Sequence, residues 1–175
     1  MPKSRQVCLL ASDSYDKILD CLKKAKIHLS DTLSAIEFMD YPSVAFSLDY
    51  FKIENPFREK IYKYYLLIEG SANSSDELLN EKMLEMLDEI SESYEDAILC
   101  DNESQVEKIW KIREGISMAT AANGMTIKFD VSVQSQNFAE LIDETQSLIG
   151  DKALMIGHGH IGDGNLHLNC TIKGF

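Results

Sequence analysis

The stretch GHGHIGDGNLHLN, residues 157–169, concentrates the side chains in this chain that are best suited to chemistry. It contains three of the four histidines and four of the nine glycines. Imidazoles bind zinc and other divalent metals, and they also serve as general acids and bases. The flanking sequences ALMI and CTI are typical of buried strands, so the stretch predicts either a glycine-rich turn or a metal site.

The residues GDGN, 162–165, predict a turn that brings the histidines together. Reversing the chain there places His160 opposite His167 and His158 opposite Asn169. Opposed residues of an antiparallel hairpin point to the same face, with Cβ atoms about 5 Å apart. His160 and His167 are therefore candidate ligands of one divalent metal ion, with zinc as the first choice. The alternative is a hairpin that carries histidines on its surface without a metal.

Two cationic side chains elsewhere in the chain could bind an anion. Arg113 and Ser117 are four residues apart in a predicted helix, so they share a face. Lys128 lies on the polar face of an alternating strand. Each cation has a structural alternative, because an arginine on an apolar stripe can serve an interface and a lone lysine is usually solvated. Beside a metal, the pair would suit an anionic substrate.

Hydrophobic periodicity predicts the elements that must position these side chains. Strands are predicted at 6–11, 33–40, 64–70, 95–100 and 126–133 and on both sides of the histidine turn. Helices are predicted at 14–29, 74–94, 104–124 and 138–150, with Ser74 and Glu77 as a capping box. Residues 41–63 are predicted to be an irregular aromatic connection broken by Pro42 and Pro56. The order predicts an α+β fold, an antiparallel sheet with helices on one face and a ferredoxin-like βαββαβ start.

Composition excludes several classes of partner. The chain has 175 residues, with 29 acidic and 17 basic residues and a net charge of −12. This charge argues against nucleic acid or an acidic membrane surface as a partner. No apolar run approaches 18 residues, so no membrane span is predicted. The length suits one domain, and the chain stops at TIKGF just after a predicted strand, so we expect a piece of a longer protein.

Two motifs resemble those of a known family. HIGDGNLH (160–167) matches the signature H-x-G-D-G-N-x-H, and IWKIREGI (109–116) matches a second motif of the same domain. Both are similar to the C-terminal domain of FAD-linked oxidases, flavoenzymes of the vanillyl-alcohol oxidase type that include D-lactate dehydrogenases and glycolate oxidase. Together with LSAIEFMD (33–40), the histidine stretch most resembles members that oxidise D-2-hydroxyglutarate. The resemblance covers nearly the whole chain.

The resemblance implies that residues 1–175 form a substrate and metal-binding domain that covers the reactive face of FAD. The flavin would be bound by a preceding domain that this chain lacks. His160 and His167 correspond to two ligands of zinc or another divalent metal. Ser117 stands where relatives that use 2-hydroxyglutarate tend to carry threonine, so the hydroxyl is kept. The resemblance assigns the substrate, a small anionic 2-hydroxy acid, to Arg113, Ser117, Lys128 and Asn169.

The resemblance also implies that part of the catalytic machinery lies beyond residue 175. The family's third metal ligand is a glutamate in a later Glu-His-Gly segment, and the adjacent histidine is the expected base. No catalytic residue is therefore assigned within this chain, and the piece alone is expected to be inactive. The electron acceptor is not specified, and a homodimer is compatible with the sequence. The expected compartment is mitochondrial in a eukaryote and cytoplasmic otherwise.

Two other functions stay open at the level of sequence. A D-lactate or glycolate dehydrogenase domain would need only one cationic contact, because its substrate is a monocarboxylate. A non-redox module that binds a metal or a small acid would explain why the chain shows no obvious flavin site.

Overall fold

The computed structural model describes residues 4–73 and 75–172 and arranges them around one sheet of seven strands. The strands are β1 (Ser4–Ser12), β2 (Leu33–Asp40), β3 (Tyr64–Ala72), β4 (Asp96–Leu99), β5 (Met125–Ser132), β6 (Leu154–His160) and β7 (Asn165–Ile172). The helices are α1 (Tyr15–His28), α2 (Tyr41–Phe51), α3 (Asp76–Glu89), α4 (Glu103–Ala122) and α5 (Phe138–Ile149). No helix within the described ranges combines the length and apolarity needed to cross a bilayer.

The strand order is β4-β1-β3-β2-β6-β7-β5, and neighbouring strands pair antiparallel. Strands β1 and β2, which are joined through α1, lie on either side of β3. This split arrangement confirms the predicted α+β fold with a ferredoxin-like start. The hairpin β6–β7 extends the sheet from the edge of β2, and β5 closes the far side. The histidine stretch therefore lies in the half of the sheet that follows the ferredoxin-like unit.

Helices cover both faces of the sheet, so the expectation of helices on one face was wrong. Alternate residues of β1 enter two separate cores, with Cys8 and Leu10 on one face and Val7 and Leu9 on the other. Helices α1, α3 and α5 pack on the first face, and α2 and α4 pack on the second. The cause is visible in the continuous apolar runs VCLLA and YYLLI, because a strand that is apolar on both sides needs cover on both sides.

Helix α2 lies where an irregular connection was predicted, so that part of the prediction was wrong. Pro42 falls in the first turn, where a missing N–H costs nothing and a fixed φ favours the helix. The helix ends at Phe51 and is followed by the C-cap residue Lys52, which has a left-handed φ of 53°. At the start of α3, the side chain of Ser75 caps the helix by accepting a hydrogen bond from the N–H of Leu78. The predicted cap Ser74 lies outside the described residues.

Asp40 connects the start of α2 to strand β6 of the hairpin through two hydrogen bonds. Its Oδ1 accepts from the N–H of Ser43 at 2.9 Å, and its Oδ2 accepts from the N–H of Gly157 at 2.6 Å. Burial raises the pKa of Asp40 to about 6, although the hydrogen bonds from Ser43 and Gly157 act in the opposite direction. The carboxyl group thus fixes the backbone at Gly157, the residue that precedes His158.

An Asp40→Asn variant is expected to change how stability depends on pH. Because the folded-state pKa of Asp40 lies above the ordinary value of 3.8, the folded protein holds this proton more tightly than the unfolded chain does. The contribution of Asp40 to stability should therefore fall by about 3 kcal/mol as the pH rises from about 4 to about 6. Urea unfolding of both proteins across this range measures it.

The quantity to compare is the difference in unfolding free energy between wild type and Asp40→Asn at each pH. Asp16→Asn, which removes one exposed acid from the first turn of α1, controls for the loss of a negative charge. A wild-type-minus-variant difference that stays flat between pH 4 and pH 6 would contradict the burial argument.

Candidate active site

The histidines lie on the hairpin formed by β6 and β7, but in a different register from the predicted one. His158 pairs with His167, and His160 pairs with Asn165. Asn169 pairs with Ile156 rather than with His158. The predicted pairs, His160 with His167 and His158 with Asn169, were therefore wrong by two residues. Because side chains alternate with period two, a shift of two keeps every side chain on its predicted face.

The register follows from the turn, which occupies residues 161–164 rather than 162–165. Gly164 has a φ of 79°, a left-handed conformation that glycine adopts without strain. The carboxylate of Asp163 accepts from the N–H of Asn165 at 3.1 Å, and the N–H of Asp163 donates to the carbonyl of His160 at 3.2 Å. Asn165 can therefore start β7 directly opposite His160.

Three imidazoles form one cluster on the sheet face covered by α2 and α4. The ring centroid of His167 lies 5.1 Å from that of His158 and 5.4 Å from that of His160. His158 is 2% exposed, and its Nδ1 has no hydrogen-bond partner among the described residues. Burial lowers the pKa of His158 well below its usual value, and the charge of Arg113 adds to the effect. The cluster therefore contains a neutral, buried imidazole at neutral pH.

A buried carboxylate links the cluster to Arg113. Glu37 on β2 is 5% exposed, and Arg113 on α4 is 8% exposed. Oε2 of Glu37 lies 3.0 Å from Nε and 2.8 Å from Nη2 of Arg113. Oε1 of Glu37 lies 2.8 Å from Nδ1 of His160. The predicted anion binder and the predicted metal ligand are thus connected through one residue.

His167 also faces a carboxylate through its Nδ1. Asp130 pairs with His167 across β5 and β7, and its Oδ2 lies 3.5 Å from Nδ1. The amide of Asn165 donates to the other oxygen of Asp130 at 2.6 Å. Burial lowers the pKa of His167, and the negative charge of Asp130 acts in the opposite direction. In both His160 and His167, Nδ1 is therefore directed toward an acid, which leaves Nε2 for another partner.

The remaining predicted substrate contacts lie beside the imidazoles. Lys128 pairs directly with Asn169 across β5 and β7, so both lie on the face of His167. Nζ of Lys128 lies 3.5 Å from the carbonyl oxygen of Ser117, one helical turn after Arg113. Asn169 is 2% exposed, and its Nδ2 donates to no described residue. Side chains from α4, β5 and β7 thus converge on one place.

A Gly159→Ala variant is expected to disturb this site through the backbone. A Cβ at Gly159 would overlap the carbonyl oxygen of Asn165 and lie 2.9 Å from the Cα of Leu166. Because backbone atoms cannot move aside as a side chain does, the hairpin must open. We expect a loss of about 1–3 kcal/mol in unfolding free energy, measured by denaturant titration.

Gly70→Ala is the matched control for a strand glycine. The atom nearest to its added Cβ would be the Cδ1 of Leu79, at 3.2 Å, a side-chain tip that can rotate away, and the nearest backbone atom lies at 3.8 Å, an ordinary contact distance. Equal destabilisation by Gly159→Ala and Gly70→Ala would contradict this close packing of the hairpin.

Two imidazoles suit a metal, but the described residues do not complete a site. Within residues 4–73 and 75–172, no group of three or more His, Cys, Asp or Glu side chains is arranged to hold a metal ion. The donor chemistry of the pair nevertheless fits, because ligating histidines typically pass their other N–H to a carboxylate. His160 has such a carboxylate in Glu37, and Asp130 lies 3.5 Å from Nδ1 of His167.

Sequence reasoning missed Glu37 and gave no role to His158. Glu37 stands inside the apolar run AIEFM of β2, and a charged residue at a buried strand position is normally paired. The sequence therefore indicates that Glu37 has a partner, but it does not show that the partners are Arg113 and His160. His158 was placed on the correct face, but its burial depends on the helices that cover this face, which the strand pattern does not specify.

Curated relatives match almost all of this chain. A protein of Oryza sativa subsp. indica, named a probable mitochondrial D-2-hydroxyglutarate dehydrogenase, is 35% identical over 95% of this chain and 30% of its own length. A Schizosaccharomyces pombe protein, named a putative mitochondrial D-lactate dehydrogenase, is 31% identical over 99% of this chain and 35% of its own length. The chain therefore spans about a third of the relatives that it matches.

Solved structures support the fold. An alkyldihydroxyacetonephosphate synthase superposes with a TM-score of 0.60 at 13% identity, over 98% of this chain and 37% of that structure. The family model described as FAD linked oxidases, C-terminal domain, matches residues 1–174. These findings agree with the two motifs and with the observed sheet. The chain belongs to the C-terminal domain family of the FAD-linked oxidases.

Proposed function

We propose that this chain is the substrate domain of an FAD-dependent dehydrogenase that oxidises a D-2-hydroxy acid, with D-2-hydroxyglutarate as the preferred substrate and 2-oxoglutarate as the product. The observation that supports it is the convergence of Arg113 and Lys128 on the face that carries His160 and His167. A relative named as a D-2-hydroxyglutarate dehydrogenase, matched over 95% of the chain, adds to this support.

The two cations explain how a dicarboxylate could be selected. Arg113 uses Nε and Nη2 toward Glu37, and no described residue accepts a hydrogen bond from its Nη1. That nitrogen can bind one carboxylate of the substrate. Lys128 approaches from β5, next to Ser117, and can bind a second carboxylate. Both contacts would be valuable in a chain with a net charge of −12, because the surrounding field repels anions.

Other residues of this chain would bind the hydroxyl end of the substrate. Asn169 has an unpartnered, buried Nδ2 within the described structure, which can donate to a substrate oxygen. His160 and His167 would hold zinc or another divalent metal through Nε2, with a further ligand supplied from outside this chain. When bound, such a metal would polarise the substrate's hydroxyl and carboxylate oxygens. The role of the protein is to hold the C2–H bond in a fixed direction.

FAD would be bound by a domain outside this chain and would supply the acceptor for the C2 hydride when bound. The family assignment supports this role for FAD. The base that takes the hydroxyl proton is also expected outside the chain. Names of relatives support a mitochondrial location if the organism is eukaryotic, and we propose a cytoplasmic one otherwise.

The test is an assay of the intact flavoprotein that contains this chain. Reduction of an artificial dye should be followed with D-2-hydroxyglutarate, D-lactate, glycolate and the L enantiomers. We expect the highest kcat/KM for D-2-hydroxyglutarate and little turnover of the L acids. Absence of dye reduction with every D-2-hydroxy acid would refute the proposed activity.

A D-lactate or glycolate dehydrogenase is the second candidate. The similarity to the protein named as a putative D-lactate dehydrogenase covers 99% of the chain, so the relatives alone do not decide between the acids. A monocarboxylate would leave Lys128 without a carboxylate to bind. The response of each substrate to loss of Lys128 therefore separates the two candidates.

A further inference from the structure

We infer that Glu37 is a positioning residue that sets the tautomer of His160 and the direction of Arg113, so that both face the same ligand. The inference rests on the proposed function for the identity of that ligand. The geometry behind the inference does not depend on the proposed function, because Glu37 contacts both Arg113 and His160 within the described structure.

The carboxylate of Glu37 divides its two oxygens between two partners. Oε2 accepts a hydrogen bond from Nε of Arg113 and lies 2.8 Å from its Nη2, while Oε1 lies 2.8 Å from Nδ1 of His160. Glu37 comes from β2, Arg113 from α4 and His160 from the end of β6. One side chain therefore fixes two functional groups that the chain brings from separate elements.

The contact with His160 determines which ring nitrogen carries the proton. A carboxylate only accepts hydrogen bonds, so the neutral imidazole must donate from Nδ1. The lone pair of that ring is then on Nε2. The side chain of His160 is 49% exposed, so with Nδ1 turned inward to Glu37 the opposite side of the ring is open. The contact with Glu37 thus leaves the lone pair of His160 Nε2 available to bind a metal ion.

The contact with Arg113 determines which donors of the guanidinium are free. A guanidinium has five N–H donors in a rigid plane, and Glu37 occupies the edge formed by Nε and Nη2. The plane can no longer rotate, so Nη1 keeps one direction. Glu37 thereby orients both the guanidinium of Arg113, which would bind an anion, and Nε2 of His160, which would bind a metal.

A purely structural role would not require the contact with His160. Glu69, on the neighbouring strand β3, shows what a structural acid does in this sheet. It pairs with Nε of Arg5 at 2.6 Å and accepts from the indole of Trp110 at 2.8 Å. No contact joins Glu69 to a histidine among the described residues. Glu69→Gln is therefore the matched control for Glu37→Gln.

The first test measures the tautomer directly in the full chain, labelled with ¹⁵N at histidine and free of metal. Long-range ¹H–¹⁵N spectra at alkaline pH, where imidazoles are neutral, distinguish a protonated from an unprotonated ring nitrogen. We expect His160 to be protonated on Nδ1 in wild type. An Nε2–H tautomer for wild-type His160 would overturn the inference without any variant being needed.

Glu37→Gln should reverse this tautomer. The amide oxygen must turn toward Arg113, since an NH₂ group cannot face the guanidinium donors. The NH₂ group then faces Nδ1, which becomes an acceptor, and the proton moves to Nε2. We expect this change in Glu37→Gln and no change in Glu69→Gln. An unchanged His160 spectrum in a folded Glu37→Gln protein would also overturn the inference.

The second test uses the intact flavoprotein and zinc alone as the probe. Competition with a chromophoric chelator should show zinc affinity about 10–100-fold weaker in Glu37→Gln and unchanged in Glu69→Gln. Equal affinity in both variants would overturn the inference. Neither readout needs turnover. Failure of the wild-type enzyme to oxidise D-2-hydroxyglutarate would therefore refute the proposed substrate, while the tautomer and the zinc affinity alone decide the role of Glu37.

Discussion

An Arg113→Ala variant is expected to lose about 3–5 kcal/mol of unfolding free energy, because it leaves the carboxylate of Glu37 buried without its cation. The two side chains are only 10% and 7% exposed, so water cannot replace the lost partner. For a domain of this size, each kcal/mol corresponds to about 2–4 °C in Tm. Thermal and urea unfolding of the chain measure the loss. Turnover in the intact enzyme should also disappear, because the substrate loses its first carboxylate contact.

Stability and function of Arg113 can be separated with a double variant. Arg113→Met combined with Glu37→Leu replaces the ion pair with apolar groups and should recover most of the lost stability. Turnover should stay absent, because the apolar pair binds neither an anion nor the imidazole. A loss of less than about 1 kcal/mol in Arg113→Ala would mean that the pair is far more solvated than the geometry shows.

A Lys128→Ala variant is expected to lower kcat/KM for D-2-hydroxyglutarate by about 10–100-fold, the value of one charge-assisted hydrogen bond. The reason is that Lys128 lies beside Asn169 and Ser117 on the sheet face that carries the imidazoles, where it can bind the second carboxylate. D-lactate lacks the second carboxylate, so its kcat/KM should change by less than about threefold. Steady-state kinetics with both acids on the intact enzyme measures this.

Lys111→Ala controls for the loss of one positive charge from the chain. Lys111 lies on α4 as well, but its Nζ is 4.9 Å from the centre of the Phe51 ring, outside the imidazole cluster. We expect similar kinetics with either acid in this variant. Equal losses for D-2-hydroxyglutarate and D-lactate in Lys128→Ala would remove the support for a dicarboxylate and favour the second candidate.

Most of the fold could be predicted because its elements obey local rules. Alternation in β5 and apolar spacing in α3 and α4 depend only on residues within each element. Helix α2 was missed for a physical reason. Pro42 breaks a helix in its interior but favours one in its first turn, and the sequence alone does not show that Asp40 caps the helix.

The site could be predicted in part. The common face of His160, His167 and Asn169 depends on parity along the strands, so an error of two residues left it intact. The partners of Glu37 depend on the approach of β2, α4 and β6, which are distant in the chain. Local periodicity cannot reveal such contacts. The tautomer, the free edge of Arg113 and the burial of His158 follow only from three-dimensional packing.

The pairing of β2 with β6 has a consequence for synthesis in the cell. Phe38 and Met39 meet Gly159 and His158, so the strand that carries Glu37 acquires this neighbour only after translation has passed residue 159. On a ribosome, the β4-β1-β3-β2 half can collapse early, with the edge of β2 exposed. The imidazole cluster can form only after translation has passed residue 167, because His158 and His160 meet His167 through the pairing of β6 with β7.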